Sequence, residues 1–214
     1  MRYPRLVRAG DAAVLLELEP VIDVRTSERA VTIADQVRSR AVHGVRDVVP
    51  TFRSVAVYFD PAVTDAEHVE RELRLASVAP VRILGGRTIE VSVSYGGEFG
   101  PDLAEVASFA GLTEAEVVEL HTSTRYRVFM LGFLPGFAYM GRVDERIAAP
   151  RKDSPRARVP AGSVGIAGVQ TGIYPRESPG GWQIIGRTTM PLFDASQTPA
   201  ARFAPGDTVR FVQG

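Results

Sequence analysis

The stretch GGRTIEVSVS, Gly85 to Ser94, divides the chain and decides how each side is read. Its two adjacent glycines bend freely, and the character of the sequence changes after them. Thr88 to Ser94 then alternates as a half-buried strand with Ile89, Val91 and Val93 inward. We place a domain boundary here, with one domain over residues 1–85 and a second over 86–214. The 214 residues, 45% of them hydrophobic, suffice for one sizeable core or two small ones.

Upstream of the boundary, strands and helices alternate. Ala12 to Leu18 is a short apolar run closed by Pro20, hence a strand. Ala30, Ile33, Ala34, Val37 and Ala41 share one helical face, which predicts an amphipathic helix over Val24 to Ala41. VRDVVPTFRSVAVYFD, Val45 to Asp60, carries two β-rich runs that part at Pro50-Thr51. Thr64 with Glu67 reads as a capping box, and Ala66, Val69, Leu73 and Ala76 make a second helical stripe. With a last strand near Val81 to Leu84, this order gives a small ferredoxin-like α/β layer.

Downstream, Pro101 to Ala110 and Thr113 to His121 read as two short helices, the second opened by a Thr113/Glu116 capping box. Strands follow at Tyr126 to Leu131, Ser163 to Ala167, Trp182 to Arg187 and Thr208 to Val212, punctuated throughout by glycine and proline. Many short strands with dense turn chemistry predict a small closed or nearly closed β-barrel. The fold class expected is therefore α+β.

Composition narrows the function. Acidic and basic residues balance at 25 each, so no global field favours nucleic acid or an acidic membrane surface. A small molecule or a protein is the expected partner. Lys152 is the only lysine, a skew that points to genome composition. The absence of cysteine excludes disulfides, thiolate nucleophiles and sulfur-ligated zinc. MRYPRLVRAGDAAVLLELEP has no signal-peptide h-region, and the apolar stretch Val128 to Gly141 is too short to span a membrane. A soluble, cytoplasmic protein is the expectation.

No phosphate loop, G-x-G-x-x-G, H-E-x-x-H or G-x-S-x-G motif occurs; Gly162-Ser163-Val164-Gly165 falls one position short of a nucleophile elbow. His43, His68 and His121 lack metal-ligand spacing, so no metal site is expected. His121 ends a helix. There the macrodipole would raise its basicity and suit it to proton transfer, whereas the plainer reading hydrogen-bonds it to the last helical carbonyls. In PRKDSPRARVP, Pro150 to Pro160, spaced prolines stiffen a loop that presents arginines able to bind carboxylate or phosphate; a solvated basic loop is the alternative. VPAGSVGIAGVQTGIYP, Val159 to Pro175, has glycines for barrel corners or for close approach to a planar ligand, with Gln170, Thr171 and Tyr174 as its polar groups with reach. SPGGWQIIGRT sets the only tryptophan, Trp182, after a glycine pair, where a core position is the commoner outcome.

GFLPGFAYMG, SPRARVPAGSVGIAGVQTGIYP and SPGGWQIIGRT, in that order, resemble the family of allophanate hydrolase subunit 1, also called the KipI family or the family of the B-type subunit of 5-oxoprolinase. GVRDVVPTFRSVAVYFDP and VSYGGEFGPDL fit as well, so the resemblance spans nearly the whole chain. It implies a cyclophilin-like barrel behind a small α/β domain. It also implies a homologous subunit 2 partner (the C-type subunit) and, in bacterial 5-oxoprolinase, a third, A-type subunit. That assembly hydrolyses 5-oxo-L-proline to L-glutamate with consumption of ATP, for which this chain has no nucleotide motif. The family also contains urea amidolyase components that serve carboxyl transfer to urea, and an inhibitor of a sporulation histidine kinase. We take the 5-oxoprolinase B-type reading first, with the isolated chain expected to be inactive.

LGFLPGFAYMG, Leu131 to Gly141, is then a rigid aromatic turn bordering a pocket: Phe133, Phe137 and Tyr139 supply wall and Pro135 holds its shape. His121 is the expected proton-transfer group. Arg156, Arg158 and Gln170 are the expected binders of a carboxylate or lactam, with Thr171, Tyr174 and Trp182 completing the substrate site.

Overall fold

A computed structural model describes residues 3–214. The chain divides into two compact units between Leu84 and Gly85. The first contains β1 (Arg5–Arg8), β2 (Ala13–Glu17), α1 (Val24–Ser39), β3 (Val45–Pro50), β4 (Ser54–Phe59) and α2 (Ala66–Ser77). Its sheet runs β1-β2-β4-β3 with all pairs antiparallel. Val14, Leu16, Val55, Val57 and Phe59 pack from the sheet against Ala30, Ile33, Ala34 and Val37 of α1 and Val69, Leu73 and Ala76 of α2. The helical stripes read from the sequence are the faces that bury, except that α1 stops at Ser39 and Ala41, with φ at +47°, lies exposed beyond it.

Three details differ from expectation. The strand expected at Val81 to Leu84 does not form. Its amides are taken by α1 instead, Arg82 N–H donating to Thr32 Oγ1 (3.0 Å) and Leu84 N–H to the buried Glu28 Oε1 (3.1 Å). Once those donors are used, the segment cannot ladder onto a sheet edge. The edge beside β2 goes to β1, in which Val7 pairs with Leu15; four residues with two arginines gave it no readable period. The α2 cap is Asp65, whose carboxylate accepts from His68 N–H (2.7 Å), so the capping box centred on Thr64 is one residue early.

The second unit contains β5 (Thr88–Tyr95), α3 (Leu103–Ala110), α4 (Glu114–Ser123), β6 (Arg125–Leu131), β7 (Ala138–Gly141), β8 (Arg156–Val159), β9 (Ser163–Ala167), β10 (Gln170–Ile173), β11 (Ser178–Gly180), β12 (Gln183–Arg187) and β13 (Thr208–Gln213). Seven strands close a barrel in the order β10-β7-β6-β13-β5-β12-β9, while β8 and β11 pair as a separate ribbon. β5 and β13 run parallel and the other barrel pairs antiparallel. Closure removes free sheet edges, which suits strands this short. The Thr113/Glu116 capping box forms as read. β7, β8, β10 and β11 have three or four residues each, too few to show a period, and are absent from the sequence reading.

Leu103, Val106 and Ala107 of α3 and Val117 and Val118 of α4 bury in one cluster with inward residues such as Val91, Val128, Ile166 and Phe211. Among the described residues, no helix is long and apolar enough to cross a membrane.

Candidate ligand-binding site

β12, β9, β10 and β7 lie side by side in the barrel, and the two-residue period of a strand gives this wall two apolar faces. Ala138, Met140, Val164, Ile166, Ile173 and Ile185 point into the main core. Phe137, Ala167, Tyr174, Trp182 and Ile184 form a second cluster on the outer face, with Val159 of the ribbon over it and Tyr139 packed against it. The glycines of β9 and β10 are what let rings lie so close to the wall. A Cβ at Gly172 would come within 3.0 Å of the Phe137 ring, and one at Gly165 within 3.1 Å of Trp182 Cβ.

Phe137, 1% exposed, is the hub of this cluster. Its ring centroid lies 4.9 Å from Tyr139, 5.4 Å from Tyr174, 5.5 Å from Trp182 and 5.6 Å from Phe133, all edge to face. Phe133 caps the group from the β6–β7 loop with φ at +67° and 60% of its surface exposed. Among these rings and Arg151, Pro155, Pro179, Gly180 and Gly181 opens a cleft of about 250 Å³. Burial pushes the Tyr139 and Tyr174 hydroxyls above the usual phenol range. The Trp182 amide, bonded to the Tyr174 hydroxyl, and the charge of Arg151 pull the other way without reversing the shift, so both phenols stay protonated at neutral pH.

The arginine loop that borders the cleft is held from below. Asp102, 2% exposed, accepts from Arg156 Nη2 (2.5 Å) and Lys152 Nζ (3.1 Å) through Oδ1, and from the Ile184 amide (2.7 Å) through Oδ2. Burial would raise this carboxyl, but the hydrogen bonds from Arg156, Ile184 and Lys152 outweigh it and hold it below the usual carboxylate range. Lys152 also reaches Glu105 (2.9 Å), and the Lys152 amide donates to Gly181 O (2.8 Å). Lys152 and the Arg156 Nη2 are therefore committed inside the protein, while the buried Arg156 Nη1 has no partner among the described residues.

The structure corrects the reading of His121. It is fully buried, its ring 4.5 Å from that of Phe211. Thr171 donates its hydroxyl to Gly165 O (3.0 Å), so the Thr171 oxygen accepts from His121 Nε2–H (3.0 Å), and Nδ1 accepts from the Tyr95 hydroxyl (2.7 Å). This network assigns the neutral Nε2–H tautomer with both nitrogens occupied. Burial pushes the imidazole down to about 3, overriding the macrodipole that would have raised it. No lone pair remains for a substrate. The plainer reading fails too, since neither nitrogen meets a helical carbonyl; the carbonyl of His121 itself accepts from the Tyr126 hydroxyl (3.0 Å).

Of the expected substrate residues, Phe133, Phe137, Tyr139, Tyr174 and Trp182 converge on the cleft. Thr171 does not, since it serves His121 in the barrel interior. Arg156 is committed to Asp102, and Arg158 is exposed on the ribbon with Glu177 at 3.8 Å; neither lines the cleft. Gln170 opens β10 opposite Gly141, and its buried Nε2 has no partner among the described residues. Pro135 is exposed in the loop and outside the lining. Arg151, Pro155, Pro179, Gly180 and Gly181 were missed as lining residues. They lie within segments the sequence had singled out, but nothing local ranks one arginine of the loop above another.

A closed seven-stranded barrel with an aromatic cleft on its outer wall defines the class. The family described as "Carboxyltransferase domain, subdomain C and D" matches residues 4–203, and the chain belongs to it. The chain is 40% identical to the B-type subunit of 5-oxoprolinase from Bacillus subtilis (strain 168), with 100% of this chain and 93% of that protein covered. It is 42% identical to the corresponding B-type subunit from Escherichia coli O157:H7, covering 99% of this chain and 97% of that one. Among solved structures, TTHA0988 superposes with a TM-score of 0.84 at 36% identity over 95% of this chain. This chain spans 40% of the TTHA0988 chain.

Proposed function

We propose that this chain is the B-type subunit of an ATP-dependent 5-oxoprolinase, which with partner subunits hydrolyses 5-oxo-L-proline to L-glutamate in the cytoplasm. The observation that carries this reading is end-to-end identity of about two fifths with two proteins named as B-type subunits of 5-oxoprolinase. The cleft supports it. Its volume lies just below the ~300–1,000 Å³ of drug-sized sites, which suits a ligand of amino-acid size. Aromatic edges and faces suit the flat lactam ring, and two protonated phenols can donate to its carbonyl.

The lining holds neither carboxylate nor imidazole, and His121 is walled into the barrel. In this reading the chain binds and orients the lactam, while proton transfer and ATP chemistry fall to partner subunits of the C type and the A type. We further read the barrel as cyclophilin-like, and the first unit as a ferredoxin-like layer whose edge strand comes from β1.

Reconstitution tests the reading. The chain and its candidate partners, given 5-oxo-L-proline, ATP and magnesium, should form glutamate, and omission of this chain should abolish it. An assembled complex that forms none would move the weight to urea-type carboxyl transfer or to kinase inhibition.

A further inference from the structure

The loop from Pro150 to Pro160 carries four cations, and the fold treats them differently. Asp102 takes Arg156, Asp102 and Glu105 take Lys152, and Glu177 stands 3.8 Å from Arg158. Arg151 has no hydrogen bond or ion pair among the described residues, and it lines the aromatic cleft. Arg151 shares that lining with Tyr139 and Tyr174, and its charge offsets part of the upward shift that burial gives both phenols. Lys152, next in the chain, is tied at its amide to Gly181 O and at its ammonium to Asp102, so the backbone that presents Arg151 is anchored at the following residue.

We propose that Arg151 is the carboxylate anchor and specificity-determining residue of this cleft, which takes a small monocarboxylate with a flat apolar body. An unpaired guanidinium offers a planar fork of N–H donors matched to a carboxylate. The ring cluster behind it can hold the rest of the ligand by face and edge contacts, while the two phenols donate to a carbonyl. Pairing Lys152 and Arg156 with Asp102 stiffens the loop, and of the four cations Arg151 is the one in the lining of the cleft. The identification of that ligand as 5-oxo-L-proline rests on the function proposed above; the carboxylate class rests on the cleft alone.

Trp182 is the only tryptophan and lines the cleft, so its fluorescence reports occupancy directly. The intact chain, alone and assembled with its partners, should be titrated with 5-oxo-L-proline and with 2-pyrrolidinone, the same ring without the carboxylate. Expected are a saturable change with the acid, affinity at least roughly ten-fold weaker in Arg151→Gln, and partial recovery in Arg151→Lys. Weak 2-pyrrolidinone binding should be equal in all three proteins. Because Arg151 is exposed and unpaired, the variants should melt with the parent chain. If Arg151→Gln binds the acid as well as the parent, or if 2-pyrrolidinone binds as tightly as the acid, the assignment is overturned. A response to a urea-derived carboxylate such as allophanate, dependent on Arg151 and absent with 5-oxo-L-proline, would uphold the anchor and remove the 5-oxoprolinase reading. Glutamate formation by a complex containing Arg151→Gln at the parental rate and KM would do the reverse.

Discussion

His121 and Arg151 sit on opposite sides of one barrel wall, and the wall treats them in opposite ways. Inside, both nitrogens of the imidazole are occupied by Tyr95 and Thr171, and burial keeps the ring neutral. Outside, a guanidinium is left with an open cleft and no counter-charge among the described residues. A titratable group fully satisfied in a closed interior contributes to stability. One held unpaired at the edge of a cavity has its interaction free energy available for a ligand.

The largest effect expected from disturbing this contrast is at Asp102, the buried node under the loop. Asp102→Ala leaves Arg156 and the Ile184 amide without their acceptor, and should cost about 3–5 kcal/mol in denaturant unfolding and abolish ligand-induced change at Trp182. Unfolding at the parental midpoint would show that the node does not hold the loop.

His121→Ala should cost about 3 kcal/mol, from the cavity and from the stranded hydroxyls of Tyr95 and Thr171. Turnover per folded molecule in the assembled complex should change less than the stability does; a collapse of turnover in well-folded protein would restore the proton-transfer role. The pH dependence carries the same information. The folded imidazole titrates at about 3. The unfolded one titrates near ~6.5, so between these values the unfolded chain binds the extra proton. The His121 contribution is therefore constant above about pH 6.5 and falls by about 1.4 kcal/mol per unit as pH drops toward 4. Comparing parent and His121→Ala between pH 4.5 and 6.5 isolates this slope from carboxylates such as Asp102, whose stabilisation is lost only below about pH 4.

On the cleft side, Gly180→Ala should cost about 1–3 kcal/mol and weaken ligand binding, because the new methyl overlaps the hydroxyl of the buried Tyr174 ring. Parental binding would mean that Tyr174 does not shape the cavity. The smallest stability effect belongs to Phe133→Gly. Relief of the positive φ and loss of a mostly exposed ring should leave stability within about 1 kcal/mol, while affinity falls a few fold. If stability and affinity moved together here, the ring would be part of the core rather than a wall of the cleft.

Much of the fold was legible because its signals are local. The stripe Ala30, Ile33, Ala34 and Val37, the alternation Ile89, Val91 and Val93, and the Thr113/Glu116 box each need only neighbouring residues to be read, and each forms. Val81 to Leu84 misled because an extended apolar run looks the same whether its amides meet a strand or the side chains of Thr32 and Glu28. In the cleft, the five aromatic residues were legible as a cluster; Arg151 was not.

Adjacent residues alone were thus enough for the two helical stripes, the glycine-rich wall and the aromatic content of the cleft, since periodicity and turn chemistry are short-range properties. Which polar groups are used up was settled only by the folded chain. Asp102 meets Lys152 and Arg156 across 50 and 54 residues, and His121 meets Thr171 across 50. Pairing at that range depends on how the barrel closes. Closure selected a core histidine from a candidate base, and left Arg151 as the cation of its loop that lines the aromatic cleft.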